Sequence, residues 1–213
     1  VDGVVIAEAS SASVTEEGVR AALLPLTGTV TMSPPAHSAV RVNGKRLYEL
    51  ARAGKTVQAP ERTVEISKLT LLTFTPGPRA RLLADVTCSK GTYIRSLALM
   101  LGESLGCGAH LSILIRTAVG DHRLDQAVTF EELAQNPSPC LLTARQALPH
   151  LPEVLVDSTQ SEAMRHGQSV PADADLPPGP VLVYNAPDVL LCLAEVASSP
   201  PVMLQPRKGF ATG

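Results

Sequence analysis

A change of period in one stretch of the chain limits what it can fold into. From Val64 to Phe74 apolar and polar residues alternate as in a half-buried strand. Thr75-Pro76-Gly77-Pro78 interrupts the run, and strand character resumes from Arg81 to Cys88. Two such runs divided by a Pro/Gly turn predict a β-hairpin. A Ser-Lys-Gly-Thr turn follows, and from Thr92 to about Leu105 the period becomes helical, with Ile94, Leu97, Leu101 and Leu105 on one face. A hairpin leading directly into an amphipathic helix points to an α+β domain, a mixed sheet with flanking helices.

The flanking sequence extends that pattern. Thr15 is placed to cap a helix running to about Leu24, with Glu16 and Glu17 in its first turn and Val19 and Leu23 on one face. Pro34-Pro35 marks an irregular loop, Ala39–Val42 a short strand closed by Asn43-Gly44, and Arg46–Ala53 a short helix stopped by Gly54. Leu111 to Val119 reads as a strand, and Thr129 starts another short helix. Pro-rich stretches at 136–139 and 148–152 bracket a helical segment beginning near Thr143. Beyond them come short strands at Val154–Val156, Val181–Tyr184, Val189–Val196 and Val202–Leu204, and a helix from Ser158 to His166. Two domains are therefore expected: 1–150, and a small β-rich domain at 151–213 of the barrel-like kind.

Length and composition bound the function. The 213 residues hold one large domain or a medium and a small one. No apolar run approaches the roughly eighteen residues of a membrane span, and no signal sequence opens the chain, so a cytoplasmic location is expected. Cys88, Cys107, Cys140 and Cys192 form no CxxC pair and read as reduced, mostly buried thiols. The net charge of −2 conceals a division. Residues 41–95 hold eleven basic and four acidic side chains, whereas residues 121–213 hold five basic and eleven acidic. The first stretch suits a phosphate backbone as well as it suits an ordinary solvated surface.

The eleven residues CSKGTYIRSLA, Cys88 to Ala98, carry the chemistry. The turn and first helical turn present Lys90, Thr92, Tyr93 and Arg95 side by side. Tyr93 offers a phenol that can transfer a proton or stack on a planar ring, and Arg95 a guanidinium that can grip a carboxylate or phosphate with two parallel hydrogen bonds. On spacing alone the same residues equally suit a capped helix start with a half-buried Tyr and a solvated Arg. Other motifs fail. Gly54-Lys55-Thr56 ends like a phosphate-binding loop, but Glu49 stands where that loop needs Gly. Gly102, Gly106 and Gly108 do not fit dinucleotide spacing, Cys107 and His110 lack an orienting third group, and the five His residues show no metal spacing.

With its flanks included, CSKGTYIRSLALMLGESLGCGAH, followed by LIRTAVG from Leu114 to Gly120, closely resembles the second half of the catalytic domain of the TruB family, bacterial synthases of pseudouridine at position 55 of tRNA. PPAHSAVRVNGKRLYELARAG, Pro34 to Gly54, is similar to that family's PPxYSAxKxxGxxxYexAR segment, and VDGVVIAE to the stretch before it. The resemblance is continuous to about Leu133 and weaker beyond. It implies a partial pseudouridine synthase catalytic domain, a C-terminal PUA-like domain, and a monomer that recognises the T-arm of tRNA. The reaction is an isomerisation, so neither metal nor other cofactor is implied.

By the same resemblance Tyr93 matches the tyrosine that contacts the target ring and is the favoured general base, and Arg95 the arginine that pairs with the nucleophilic aspartate. Leu114 matches an apolar residue against the base. Lys90, Lys45 and Arg46 are candidates for phosphate contacts, and His37 and Arg116 for further RNA contacts. His37 replaces the usual Tyr of PPxYSA, Arg41 the usual Lys, and Ile115 the first Arg of an Arg-Arg pair. The family's nucleophile lies in a GxLDPxAxG motif, which these 213 residues do not contain. Asp2 falls at a non-catalytic acidic position and Asp85 inside a strand. The chain therefore reads as lacking the first part of the catalytic domain and is expected not to turn over alone. A non-catalytic tRNA-binding or RNA-folding module is the alternative.

Overall fold

The computed structural model describes residue 5 and residues 7–35, 40–42, 44–53, 59–173, 175–197 and 201–210. The chain divides into two compact units, 1–114 and 115–213. The boundary expected after residue 150 lies inside the second of them.

In the first unit, α1 (Glu16–Leu23) begins where expected, with the Thr15 hydroxyl accepting from Gly18 N. The chain then enters β1 (Gly28–Met32), an element not anticipated from the sequence. A small hairpin, β2 (Arg41–Val42) and β3 (Lys45–Arg46), turns at Gly44 with φ of 81° and leads into α2 (Leu47–Arg52). The predicted hairpin is present as β4 (Arg62–Thr75) and β5 (Arg81–Cys88). β1, β4 and β5 form one antiparallel sheet in that order. The helix α3 (Ile94–Ser104) follows, shorter by two residues at its start than the sequence suggests, because Tyr93 is extended and caps it.

Strand β4 does not alternate simply. Val64 and Ile66 point into the core, and a strict period of two would next bury Lys68. Register shifts between Ile66 and Lys68, and again between Leu71 and Thr73, each insert one residue and reverse the phase. Leu69, Leu71 and Phe74 thereby return to the core, and Leu72 is left 55 % exposed. Against this face pack Val19 and Leu23 of α1 and Leu97 and Leu101 of α3.

Leu111–Val119, expected as a strand, is extended only at β6 (Ala118–Val119), which pairs with β7 (His122–Arg123). Residues 111–117 are apolar enough for a strand but have no ladder partner among the described residues. Short helices α4 (Phe130–Gln135) and α5 (Ala144–Ala147) start at the expected Thr129 and Thr143, each closed by a capping box with Glu132 or Gln146. The Thr129 backbone N–H and hydroxyl hold the Glu132 carboxyl below its usual range.

The rest of the second unit is a five-stranded sheet. It is built from β8 (Glu153–Leu155), β9 (Val170–Pro171), β10 (Gly179–Ala186), β11 (Val189–Val196) and β12 (Met203–Gly209) in the order β8-β10-β11-β12-β9, with α6 (Ser158–Arg165) after β8. β8 runs parallel to β10 and the other pairings are antiparallel. Val181 to Tyr184 are all buried, so β10 is covered on both faces. Burial also pushes the Cys192 thiol up from its ordinary value. No helix among the described residues is long and apolar enough to cross a membrane.

The register shifts predict a contrast within one strand. Ile66→Ala removes a side chain with no solvent exposure and should cost about 2–5 kcal/mol in urea unfolding. Leu72→Ala, at the outward residue of the second shift, should stay within about 0.5 kcal/mol of the parent. Equal losses would mean that Leu72 and not its neighbours faces the core.

Candidate functional site

The Ser89-Lys90-Gly91-Thr92 turn is fixed by hydrogen bonds at both ends. Ser89 N donates to Glu65 O at 2.8 Å, and the Ser89 hydroxyl accepts from Glu65 N at 3.0 Å, so the turn is tied to β4 as the chain leaves β5. Thr92 Oγ1 donates back to Ser89 O at 2.9 Å. Gly91, with φ of 86°, supplies the left-handed residue that lets the chain reverse into the helix. Lys90 projects from this turn into solvent.

Tyr93 occupies the N-cap of α3 and is half-buried, packed against the core of the first unit. Its backbone N–H points at Met32 Sδ, 3.5 Å away. One turn on, the buried Ser96 hydroxyl donates to Ser33 O at 2.7 Å. The start of α3 is thus pinned to the end of β1, where the Pro34-Pro35 segment begins. Two motifs about sixty residues apart in sequence meet at this point. Arg95, between Tyr93 and Ser96, lies on the exposed side of the helix.

The other end of α3 sets the path towards Leu114. Gly102 O accepts from both Cys107 N and Gly108 N, at 3.2 and 3.0 Å. A side chain at Gly102 would fall on the backbone of Gly108 and Ala109, so the helix and the following loop are in direct contact there. Gly106 and Gly108, with φ of 71° and 68°, make the reversal. Their role in this sequence is close packing of a turn. Leu114, at the end of the first unit, is 62 % exposed. Arg116 is exposed too, but it belongs to the second unit.

The remaining expected residues are distributed as follows. Arg46 is exposed at the end of β3, and its backbone N–H is capped by Glu49 Oε2 at 3.2 Å. Lys45 sits in the same strand, paired with Val42. His37 lies outside the described residues. The basic stretch is partly self-neutralised: Lys68 pairs with Asp85 at 2.8 Å, and Arg79 pairs with Glu8. Asp85 is therefore an ion-pair partner on the sheet surface. Among the described residues no group of His, Cys, Asp and Glu is arranged to hold a metal ion.

Sequence reasoning missed four residues: Met32 and Ser33 as the dock for α3, Ser96 that reaches it, and Gly102 as the helix's contact with the loop. A short polar residue one position after an exposed Arg on the first helical turn was the available signal for Ser96. Arg145, a possible RNA contact from its sequence position, is occupied within the second unit. Its guanidinium donates to Glu153 at 2.8 Å, Asp188 Oδ1 at 3.2 Å and Pro187 O at 2.6 Å, and lies 4.7 Å from the Tyr184 ring centre. The Glu153 carboxylate holds its pKa above the ordinary arginine value.

Comparison with known proteins identifies the family. Residues 1–94 match the family model described as the N-terminal domain of the TruB family pseudouridylate synthases, and residues 95–141 match the tRNA pseudouridylate synthase B C-terminal domain. A Bacillus cereus protein named tRNA pseudouridine synthase B is 38% identical over 203 residues, covering 92% of this chain and 66% of that protein. A Symbiobacterium thermophilum protein of the same name is 47% identical over 165 residues, 78% of this chain and 55% of the relative. The chain thus spans just under two thirds of the length of the first relative. Among solved structures, a chain of a Cbf5–Nop10–Gar1 complex superposes with a TM-score of 0.66 at 22% identity, covering 95% of this chain and 64% of that one. At that identity the likeness concerns the fold.

The Ser96 link makes a testable contribution. Ser96→Ala should lower stability by about 0.5–1.5 kcal/mol, the usual net worth of such a bond, and should raise hydrogen exchange at Tyr93–Leu97 above that of the middle of α3. Uniform exchange along the helix would show that the Ser33 contact does not hold its start.

Proposed function

The chain belongs to the TruB family of pseudouridylate synthases, and from that premise we propose that it carries the Tyr93–Arg95 half of the active site of a synthase that isomerises the T-loop uridine at position 55 of tRNA. The observation that carries this reading is the pinning of the Tyr93 turn onto the exit of β1. A phenol needed for chemistry must be carried on a fixed backbone, and the Met32 and Ser33 contacts fix the backbone at the start of α3 that carries this one.

The reaction breaks the bond from ribose C1′ to N1 of uracil, turns the base and joins C5 to the same C1′. The C5 proton leaves and N1 gains one, so atoms and electrons balance with no cofactor. An aspartate initiates the process; by resemblance it stands in a GxLDPxAxG segment that is not among these 213 residues. Tyr93 contacts the uracil ring and removes the C5 proton as general base. Arg95 pairs with the aspartate, holding it ionised and oriented. Leu114, mostly exposed in this chain, provides an apolar surface for the extruded base. Lys90, Lys45 and Arg46 take phosphates of the T-arm, and His37 and Arg116 supply further RNA contacts. Activity then requires the polypeptide that brings the aspartate. The second reading, a tRNA-binding or RNA-folding module, is favoured by the missing motif and disfavoured by a tyrosine and arginine that a pure binder does not need together.

Two outcomes follow. The 213-residue chain should form no pseudouridine in unmodified tRNA, and clear multiple turnover would remove the requirement for the aspartate. When the aspartate-bearing polypeptide is present, Tyr93→Phe should bind tRNA nearly as well as the parent and lose single-turnover rate by a factor on the order of 100. If the variant instead loses melting temperature and activity in proportion, Tyr93 is a packing residue and the reading fails.

Binding has its own signature. Affinity for tRNA should fall steeply with salt as counterions are released, and Lys90→Ala with Arg46→Ala should flatten the log–log slope by about one per lost phosphate contact. An unchanged slope would place the RNA contacts elsewhere.

A further inference from the structure

In the β2–β3 hairpin two arginines stand directly opposite each other. Arg41 pairs with Arg46 and Val42 with Lys45, so three of the four strand residues are cationic. Among the described residues no other register row sets two charged residues opposite one another. Elsewhere in the first unit charge is matched between strands, as where Lys68 of β4 meets Asp85 of β5 at 2.8 Å. Like charges at opposed positions weaken a ladder, and a hairpin with two residues per strand has little to offset them. This one is nevertheless built. Gly44 supplies its left-handed residue, Leu47 N donates to Val40 O at 2.8 Å, and the Leu47 side chain is buried beyond it. Both arginines are exposed.

Residues opposed in a ladder share one face, with Cβ atoms about 5 Å apart. A guanidinium presents two parallel N–H donors that fit two oxygens of a phosphate. Two such forks rooted this close can grip one phosphate between them, and the anion turns their mutual repulsion into two attractions. The surroundings favour an anion as well. Residues 41–55 hold five basic side chains and one acidic, Glu49, whose carboxylate accepts from Arg46 N at 3.2 Å. We propose that Arg41 and Arg46 form a two-arginine clamp on a single backbone phosphate of the RNA, and that holding this phosphate completes the hairpin. The clamp brings in Arg41, to which the reading above gives no role. It rests on the tRNA-binding part of that reading and not on the roles given to Tyr93 or Arg95.

The test uses the 213-residue chain with unmodified tRNA as probe, and follows affinity against salt together with hydrogen exchange at the Arg46 and Leu47 amides. Adding tRNA should slow exchange at both amides, because a ligand bound to the closed hairpin stabilises it. Arg41→Ala and Arg46→Ala combined should flatten the log–log salt slope by about one, as for one phosphate. A change of about two would mean separate phosphates and overturns the clamp. Arg41→Glu gives the sharper contrast. It sets a carboxylate opposite Arg46, so the free hairpin should exchange more slowly than the parent while tRNA affinity falls by about tenfold or more. Arg81→Glu, the same change of charge at an exposed position of β5, should cost about twofold at most. A purely structural pair would lose or gain hairpin protection and affinity together, and a purely solvated pair would respond as Arg81 does; either result overturns the proposal. So does equal protection by inorganic phosphate at matched ionic strength, which would make the ligand a free anion, or the absence of tRNA binding. If the clamp variants behave as expected while Tyr93→Phe keeps the full single-turnover rate, the reaction assigned to Tyr93 fails and the clamp stands. The reverse pattern removes the clamp alone.

Discussion

Packing of α3 across the β1-β4-β5 sheet is the contact on which the rest of the first unit depends. Leu97 and Leu101 bury into the same face that Val64, Ile66 and Leu71 present. Burying side chains of this size is worth roughly 1.5–3 kcal/mol each, so the helix is held far more firmly by its underside than by its caps. That firmness lets its first turn carry something exposed. Tyr93 need not pay its own ordering cost, because the helix behind it and the Met32–Ser33 dock in front already fix its backbone. The two register shifts in β4 serve the same end. Without them a strict alternation would turn Lys68 and Thr70 towards the core in place of Leu69 and Leu71.

The hairpin, α1, α3 and the C-terminal strands were legible because each has a clear period and a clear stop. Thr15, Thr129 and Thr143 cap the helices they were expected to cap, a chemical signal that survives any tertiary context. What escaped depends on partners. Gly28–Met32 is a five-residue strand whose identity comes from pairing with residues 62–66, far along the chain. Leu111–Thr117 shows the reverse error: its composition suits a strand, yet no neighbour among the described residues completes the ladder. Likewise, the two phase reversals in β4 cannot be read from the order of residues, since Ile66-Ser67-Lys68-Leu69 is compatible with either register.

At the site the same division holds. The sequence put Lys90 in a turn and Tyr93 and Arg95 at the start of the helix that follows, and in the structure Lys90 lies in that turn, Tyr93 at the N-cap and Arg95 in the first turn of α3. It could not show that this turn rests on the exit of β1, because the only marks of that contact are a methionine and two serines. The basic stretch is a milder disappointment. The +7 total of residues 41–95 already sets Lys68 against Asp85, and Arg79 is further offset by Glu8 from outside the stretch. Net charge measures the field at a distance, whereas phosphate binding at close range needs cations without a carboxylate beside them.

Arg145 illustrates why position along the chain is a poor guide to a cation's work. Between two Pro-rich stretches, near a domain boundary, it looks like a solvated linker residue available to RNA. Its guanidinium has five donors in a plane, and Glu153, Asp188 and the Pro187 carbonyl lie in or near that plane while Tyr184 covers one face. Lysine has three donors but no planar fork, so it could not match this set of acceptors and also lay a flat face on the ring. Arg95 sits on the exposed side of α3, two residues after the N-cap Tyr93, where the sequence pattern alone put it. A guanidinium can orient a carboxylate as well as neutralise it, because two parallel hydrogen bonds fix a common plane, and that chemistry is legible in the residue type before any partner is known.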